Sequence, residues 1–137
     1  MNKKSRLFYI ASITFLVLFF ESCRSAKYLE EDQTLVTKVD LEGFPTHLEE
    51  SAYQYISNEI RPNSALNLTV YNIFNTKSGK YKTEKIRSVG EAPRILDSSL
   101  VELSAIQIQR FLQTRGYFRA KVTPEISVNN KKTKINF

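Results

Sequence analysis

The sequence predicts an α+β fold with the element order strand, helix, helix, strand, strand, preceded by a targeting segment. Apolar residues alternate with polar ones near both ends of residues 34–137, and two stretches between them carry apolar residues at three- and four-residue spacing. The composition, 42% hydrophobic and 25% charged, is that of a folded protein. With 137 residues, the chain has room for one small domain beside the targeting segment.

Residues 1–22 have the pattern of a signal peptide. Lys3, Lys4 and Arg6 form a positive start, and the largely apolar residues 7–20 follow them. That run is shorter than the roughly 20 residues that a permanent membrane helix needs. The pattern therefore indicates export.

The only cysteine, Cys23, comes directly after the small Ser22 at the end of the apolar run. This placement resembles the lipobox of bacterial lipoproteins, although Phe20 and Glu21 depart from its commonest residues. The resemblance implies cleavage between Ser22 and Cys23 and lipidation of Cys23. No aspartate is present among the four residues directly after the cysteine, Arg24 to Lys27, and the resemblance therefore also implies an outer-membrane location. Residues 23–33 are polar and aperiodic and are predicted to form a lipidated tether.

The domain is predicted to occupy residues 34–137, beginning with a strand over Leu35–Leu41. Alternation places three apolar side chains on one face of this strand, those of Leu35, Val39 and Leu41. After a turn, Thr46 and Glu49 have capping-box spacing and predict the start of a helix that ends before Pro62. Its expected apolar stripe is Leu48, Ala52, Tyr55, Ile56 and Ile60.

Residues 63–95 are predicted to be an insertion, with an apolar patch that fits either a short helix or an edge strand. A basic run over residues 77–87 follows the patch. Glu84 and Glu91 dilute its charge and Tyr81 is its one aromatic residue, so a solvated loop is favoured over a nucleic-acid surface.

The second helix is predicted after Asp97, with a capping box between Ser99 and Glu102. Its expected stripe is Val101, Ala105, Ile108, Phe111 and Leu112. Gly116 is predicted to end the helix in a left-handed conformation, and Tyr117 to fold back on the last turn.

An antiparallel hairpin is predicted for the remaining residues, 118–137. Its first strand has the alternating residues Phe118, Ala120, Val122, Ile126 and Val128. Pro124 lacks an amide hydrogen and so marks a bulge or an edge position in that strand. Asn129, Asn130 and Lys131 supply the turn, and the strand after it has not ended at Phe137.

No catalytic, metal or cofactor site is predicted. His47, the only histidine, falls in an exposed first turn without candidate ligands around it, and the carboxylates form no nucleophile-base or metal-ligand set. The net charge is +6, of which residues 1–22 account for +2. The remaining +4 is too small and too scattered to predict a nucleic-acid partner.

The element order and the segment LQTRGYFRAKV, residues 112–122, resemble POTRA domains of the BamA and TamA superfamily. More narrowly, AKYLEEDQTLVTKVDLEG, RPNSALNLTVYNIF, VGEAPRILD and the GYF junction of Gly116, Tyr117 and Phe118 resemble the TamL lipoproteins of Bacteroidetes. Those proteins continue into further POTRA domains and a membrane barrel. The resemblance therefore implies the N-terminal part of an outer-membrane protein assembly or translocation factor, facing the periplasm. This chain would be a fragment of it, a truncated reading frame or a freestanding adaptor.

The resemblance implies a binding module and not an enzyme. Its partners would be other POTRA domains, assembly-factor subunits and nascent outer-membrane polypeptides, besides the outer membrane that holds the lipid. An exposed strand edge would bind them, either in the hairpin or at Leu35–Leu41. The alternative is a freestanding envelope lipoprotein that binds glycan or another protein.

Overall fold

The computed structural model describes residues 26–77, 80–81 and 89–137. Its elements are β1 (Leu35–Asp40), α1 (Thr46–Tyr53), a 3₁₀ turn (Asn58–Ile60), α2 (Ala65–Asn75), β2 (Thr76–Lys77), β3 (Lys80–Tyr81), α3 (Ser98–Thr114), β4 (Glu125–Asn129) and β5 (Lys132–Asn136). The predicted α+β class is confirmed. The expected signal peptide and Cys23 lie outside the described residues, as do residues 78–79 and 82–87 of the basic run. Within the described part, no helix has the length and apolar character to cross a membrane.

The main sheet has three strands in the order β1, β5, β4. β5 is central, parallel to β1 and antiparallel to β4. The predicted hairpin is therefore confirmed, and so is its turn. Asn130 and Lys131 both have positive φ, 48° and 59°, which is the type I′ geometry whose twist matches that of a two-stranded ribbon.

One face of this sheet packs against α1 and α3, and the main core lies between the two layers. Every residue of the predicted α3 stripe is buried there. Of the α1 stripe, Tyr55 is the exception. It is 43% exposed and stacks on Phe111 with ring centroids 4.8 Å apart. The sheet contributes Val36, Val39, Ile135 and Phe137 to the same core.

The expected single apolar face of β1 is wrong. Leu35 packs in a second cluster, whereas Val36 and Val39 are buried in the main core. The register of β1 on β5 shifts between Val36 and Lys38, and such a bulge breaks strict alternation. Thr37 is the extra residue, and its hydroxyl donates to the carbonyl of Thr133 at 3.0 Å.

The first helix is shorter than predicted, and its capping box is wrong. Pro45 is the residue before the helix, so Thr46 is already helical and makes no side-chain cap. Arg61 accounts for the early C-terminal end. Its guanidinium donates to the carbonyls of Tyr53, Gln54 and Ile56 at 2.9–3.1 Å, which stabilises the chain where the helix stops. The Tyr53 carbonyl also accepts from the Ile56 amide at 3.2 Å.

The second cluster joins the start of the described chain to α2. Ala26, Leu29, Leu35 and Leu68 are buried together in it. The apolar patch in residues 63–95 is therefore a helix and not an edge strand. Ala26 and Leu29, upstream of the predicted start near Thr34, already pack on the domain.

The N-terminus of α3 is capped by Asp97, whose carboxylate accepts from the amides of Ser99 and Leu100. The predicted pairing of Ser99 with Glu102 is therefore wrong. The predicted end of the helix is confirmed: Gly116 has φ +96°. The amide of Gly116 donates to Gln113 O at 3.1 Å, and that of Tyr117 to Leu112 O at 3.0 Å, which together form a Schellman motif.

The strand expected from Phe118 is wrong in its first half, since β4 begins only at Glu125, after Pro124. The amide of Ala120 donates to Tyr117 O at 2.9 Å, which makes a turn. The amide of Val122 donates to the side chain of Gln109 on α3 at 3.2 Å. This segment is therefore hydrogen-bonded to itself and to α3, and not to the sheet. The prediction failed because alternation alone does not distinguish a strand from an extended connection.

Candidate partner-binding edge

The outer edge of β4 is the candidate site. Among the described residues β4 pairs only with β5, so its other side has no strand beside it. All five residues of β4 are exposed, including the apolar Ile126 and Val128. An exposed strand edge offers backbone donors and acceptors to an incoming chain.

The hairpin register identifies the backbone groups that face outward. The residues next to a two-residue turn form a hydrogen-bonded pair, here Asn129 and Lys132, and such pairs alternate with non-bonded ones along the ladder. Ser127 and Glu125 therefore direct their backbone groups toward β5. The amides and carbonyls of Ile126 and Val128 point away from the sheet.

The side chains of those two residues lie on the helix-covered side of the sheet. Ile126 is opposite Ile135 and Val128 is opposite Thr133, and paired residues project from the same face. Ile135 and Thr133 are buried at 1% and 0% exposure, whereas Ile126 and Val128 are 41% and 53% exposed. The helix layer therefore covers β5 but leaves β4 open.

The sequence left two edges as candidates, and the structure separates them. The free side of β1 is occupied by the segment that precedes α3. The amide of Val36 donates to Arg94 O at 2.8 Å, and that of Leu96 to Thr34 O at 2.9 Å. β1 is thus partly paired, which leaves β4 as the edge available to a partner.

A cleft of about 650 Å³ opens at the end of the sheet where β4 starts and β5 finishes. Phe44, Leu112, Tyr117, Val122 and Phe137 provide its apolar lining. Glu125, the first residue of β4, is among the residues that line this cleft. A partner strand on β4 could therefore place a side chain in this cleft.

The structure brings together only part of the predicted site. Ile126 and Val128 lie on the strand edge. Ala120 and Val122 instead pack against the main core, and Phe118, 80% exposed, lies in a turn. Of the junction residues, Gly116 ends α3 and Tyr117 borders the cleft. Sequence reasoning did not identify which backbone groups point outward, although the two-residue turn carried that information.

The ionisable groups of the described residues do not form a reactive centre. No group of histidine, cysteine and carboxylate side chains there could hold a metal ion. His47 is exposed on α1, as expected of a surface residue. Burial raises the pKa of Tyr81 to about 12, and its hydroxyl donates to Asn72 Oδ1 at 2.8 Å, so this phenol has a structural role beside α2.

One solved structure that is similar is the N-terminal domain of Omp85 from the thermophilic cyanobacterium Thermosynechococcus elongatus, at 18% sequence identity and a TM-score of 0.26. The match covers 78% of this chain and 63% of that one. No curated protein matches.

A family model also matches most of the chain. Residues 35–137 match the family described as "POTRA: Surface antigen variable number repeat". The matched range starts with β1 and includes α1, α2, α3 and the β4–β5 hairpin. The family is one of binding modules, and no catalytic family is indicated. The chain therefore belongs to the POTRA family.

Proposed function

We propose that this chain is the lipid-anchored, periplasm-facing binding module of an outer-membrane protein assembly or translocation factor, and that it binds extended polypeptides by strand addition to β4. The observation that carries this proposal is the open outer edge of β4 beside an uncovered strip of the sheet face. Strand addition uses main-chain hydrogen bonds for affinity and side-chain pockets for selectivity. The edge provides the bonds, and the cleft beside Glu125 provides a pocket.

The chemistry of the edge defines the class of partner. Only the backbone of a partner meets the outward amides and carbonyls of Ile126 and Val128, so many sequences fit. The partner side chains that face the helices meet two apolar residues, which favours alternating apolar segments. Strands of outer-membrane polypeptides in transit have this pattern, and neighbouring POTRA domains or accessory subunits could offer such a segment too.

The expected affinity is low. Two outward-facing residues offer up to four backbone hydrogen bonds, each contributing about 0.5–1.5 kcal/mol net. About 4 kcal/mol corresponds to a dissociation constant near 1 mM before side-chain contacts are added. Weak binding suits a module that passes a polypeptide on.

The test uses isotope-edited NMR with a peptide of alternating apolar and polar residues. We expect progressive shifts of the β4 amides, and nearly equal shifts with a second peptide of different sequence that keeps the same alternation of apolar and polar residues. Val128→Pro removes one outward amide hydrogen without removing a bond to β5, and it should abolish the shifts. Val128→Thr keeps the amide and should bind as before. Shifts confined to the basic residues near Lys77 and Lys80, lost in high salt, would contradict strand addition.

The anchor is tested separately. Cys23 follows Ser22 directly after the apolar run, and several acyl chains at about 0.8 kcal/mol per buried methylene hold a protein firmly in a membrane. Mass spectrometry of the mature protein should find an acylated Cys23, and Cys23→Ala should release the chain from the outer-membrane fraction. An unmodified cysteine at the mature N-terminus would contradict the anchor without affecting the strand edge.

A further inference from the structure

Helix α2 exposes three large apolar side chains to solvent and buries two asparagine side chains against the domain. Leu66, Ile73 and Phe74 are 73%, 67% and 56% exposed. Asn72 and Asn75, in contrast, are buried at 9% and 2% exposure beside Leu68. A surface helix normally has the opposite arrangement. The outer face of α2 is therefore suited to an apolar surrounding.

The exposed Leu66 and Ile73, with the half-buried Val70 between them, form one continuous stripe. Leu66, Val70 and Ile73 are four and three residues apart, the spacing that places residues on one side of a helix. At 1.5 Å per residue the stripe is about 10 Å long. Thr69, also exposed, is the only polar residue beside it. We call the face formed by Leu66, Thr69, Val70, Ile73 and Phe74 the α2 outer face.

The chain enters the domain directly beneath α2. Ala26 and Leu29 are buried at 8% and 6% exposure in the cluster that contains Leu68 of this helix. Lys131 holds the same segment, because its ammonium group donates to the carbonyls of Leu29 and Glu30 at 3.2 and 2.8 Å. The residues that lead from the N-terminus are thus fixed to the domain from Ala26 onward.

This attachment limits the distance between the anchor and α2. Three virtual bonds of 3.8 Å separate Cys23 from Ala26, so their Cα atoms are at most about 11 Å apart. A helix with its side chains is about 10–12 Å across. A lipid on Cys23 can therefore lie at the level of the α2 outer face, and the domain cannot move far from the bilayer that holds the lipid.

We infer that the α2 outer face rests on the bilayer surface to which the chain is anchored, with Leu66 and Ile73 entering the boundary between headgroups and acyl chains. This inference rests on the lipidation of Cys23 proposed above. An amphipathic helix binds a membrane in this way, parallel to the surface and apolar side down. Docking fixes the orientation of the domain, which the anchor alone would leave variable.

Charge has a minor part in this contact. Lys77 and Lys80 are exposed just beyond the C-terminus of α2 and Lys27 is exposed on the entering segment. Glu30, Glu31 and Asp32 are exposed on that segment as well. These charges offset each other near an anionic surface. The docking should therefore depend on apolar burial and persist in high salt, unlike the binding of a polybasic segment.

The test exploits the absence of tryptophan from the sequence. Ile73→Trp places a single reporter on the α2 outer face, and Ile106→Trp places a matched reporter on α3, at a helical position 49% exposed. Each full-length variant is expressed, its processed form is purified from membranes, and acylation of Cys23 is verified by mass spectrometry. The protein is then reconstituted into vesicles of phosphatidylethanolamine and phosphatidylglycerol that contain lipids brominated on the acyl chains.

We expect the Ile73→Trp emission to shift to shorter wavelength and to be quenched by the brominated lipids at low and high salt. The Ile106→Trp emission should stay quenchable by aqueous acrylamide. An acylated protein whose Ile73→Trp reporter remains accessible to acrylamide would overturn the inference and leave the anchor intact. A blue shift without lipid quenching, growing with protein density, would overturn it in favour of a second copy. An unacylated Cys23 would overturn both, and the mass spectrum would show it before the fluorescence is measured.

Discussion

Replacing Gly90 by alanine should destabilise the domain more than the same replacement at Gly116. Both glycines have positive φ, +79° and +96° respectively. An L-residue in the left-handed region costs about 1–2 kcal/mol, and the reduced entropy of the unfolded chain returns about 0.4–1 kcal/mol of that. Conformation alone therefore predicts a loss of about 1 kcal/mol at each position.

The surroundings of the two glycines differ. A Cβ at Gly116 meets nothing within 4 Å, whereas a Cβ at Gly90 would lie 2.4 Å from Asn67 O and 2.6 Å from Tyr71 N. Both neighbours are backbone atoms of α2 and cannot rotate away, so the helix must shift. Overpacking of this kind costs about 1–3 kcal/mol, which gives a total of about 2–4 kcal/mol for Gly90→Ala.

The assay is urea unfolding followed by far-ultraviolet circular dichroism. The free energy of unfolding should fall by about 1 kcal/mol for Gly116→Ala and by about 1–3 kcal/mol more for Gly90→Ala. Gly116→Asn is the matched control, because asparagine tolerates a left-handed backbone better than alanine does. Equal losses for the two alanine variants would refute the close approach of Gly90 to α2.

Two further predictions concern helix ends. Arg61→Ala should lower the free energy of unfolding by about 2 kcal/mol, since it removes charged donors from three carbonyls at the end of α1. Arg61→Lys should recover little of that loss, because a lysine lacks the planar fork of donors. Full stability of the lysine variant in the same urea assay would contradict this account. Hydrogen bonds from the Ser99 side chain and then the Ser99 amide lower the pKa of Asp97 below its ordinary 3.8. The stabilisation by Asp97 should therefore be complete above pH 3.8 and be lost as the pH falls through the folded-state pKa. Urea unfolding of Asp97→Asn across this range should lack that pH-dependent part.

Sequence patterns predicted the elements with strong periodicity. The α3 stripe and the Gly116 stop are repeated local signals, and the structure contains both. The β4–β5 turn likewise follows from residues that accept positive φ. Local patterns failed where a contact outside the pattern decides the structure. Arg61 ends α1 early, and the bulge at Thr37 redirects Leu35 to a second cluster.

The candidate site was less predictable than the fold. Alternation at Phe118, Ala120 and Val122 suggested a strand, but these residues pair with nothing in the sheet. The choice between the two edges depended on Arg94 and Leu96, which lie far from β1 in sequence and bond to it in space. The exposure of Leu66 and Ile73 could not be predicted either, because the sequence does not show whether another part of the chain covers an apolar residue.

The parallel pairing of β1 with β5 constrains the order of folding. Thr37 and Thr133, which are hydrogen-bonded across it, are 96 positions apart in the chain. Closing a loop of that length costs about 4 kcal/mol of entropy before any contact rewards it, so such topologies fold slowly. In a chain that emerges N-terminus first, β1 lacks its parallel partner β5 until nearly the whole domain has appeared. The nascent domain would therefore stay unfolded during most of its export, and it would need protection from aggregation until β5 has been translocated.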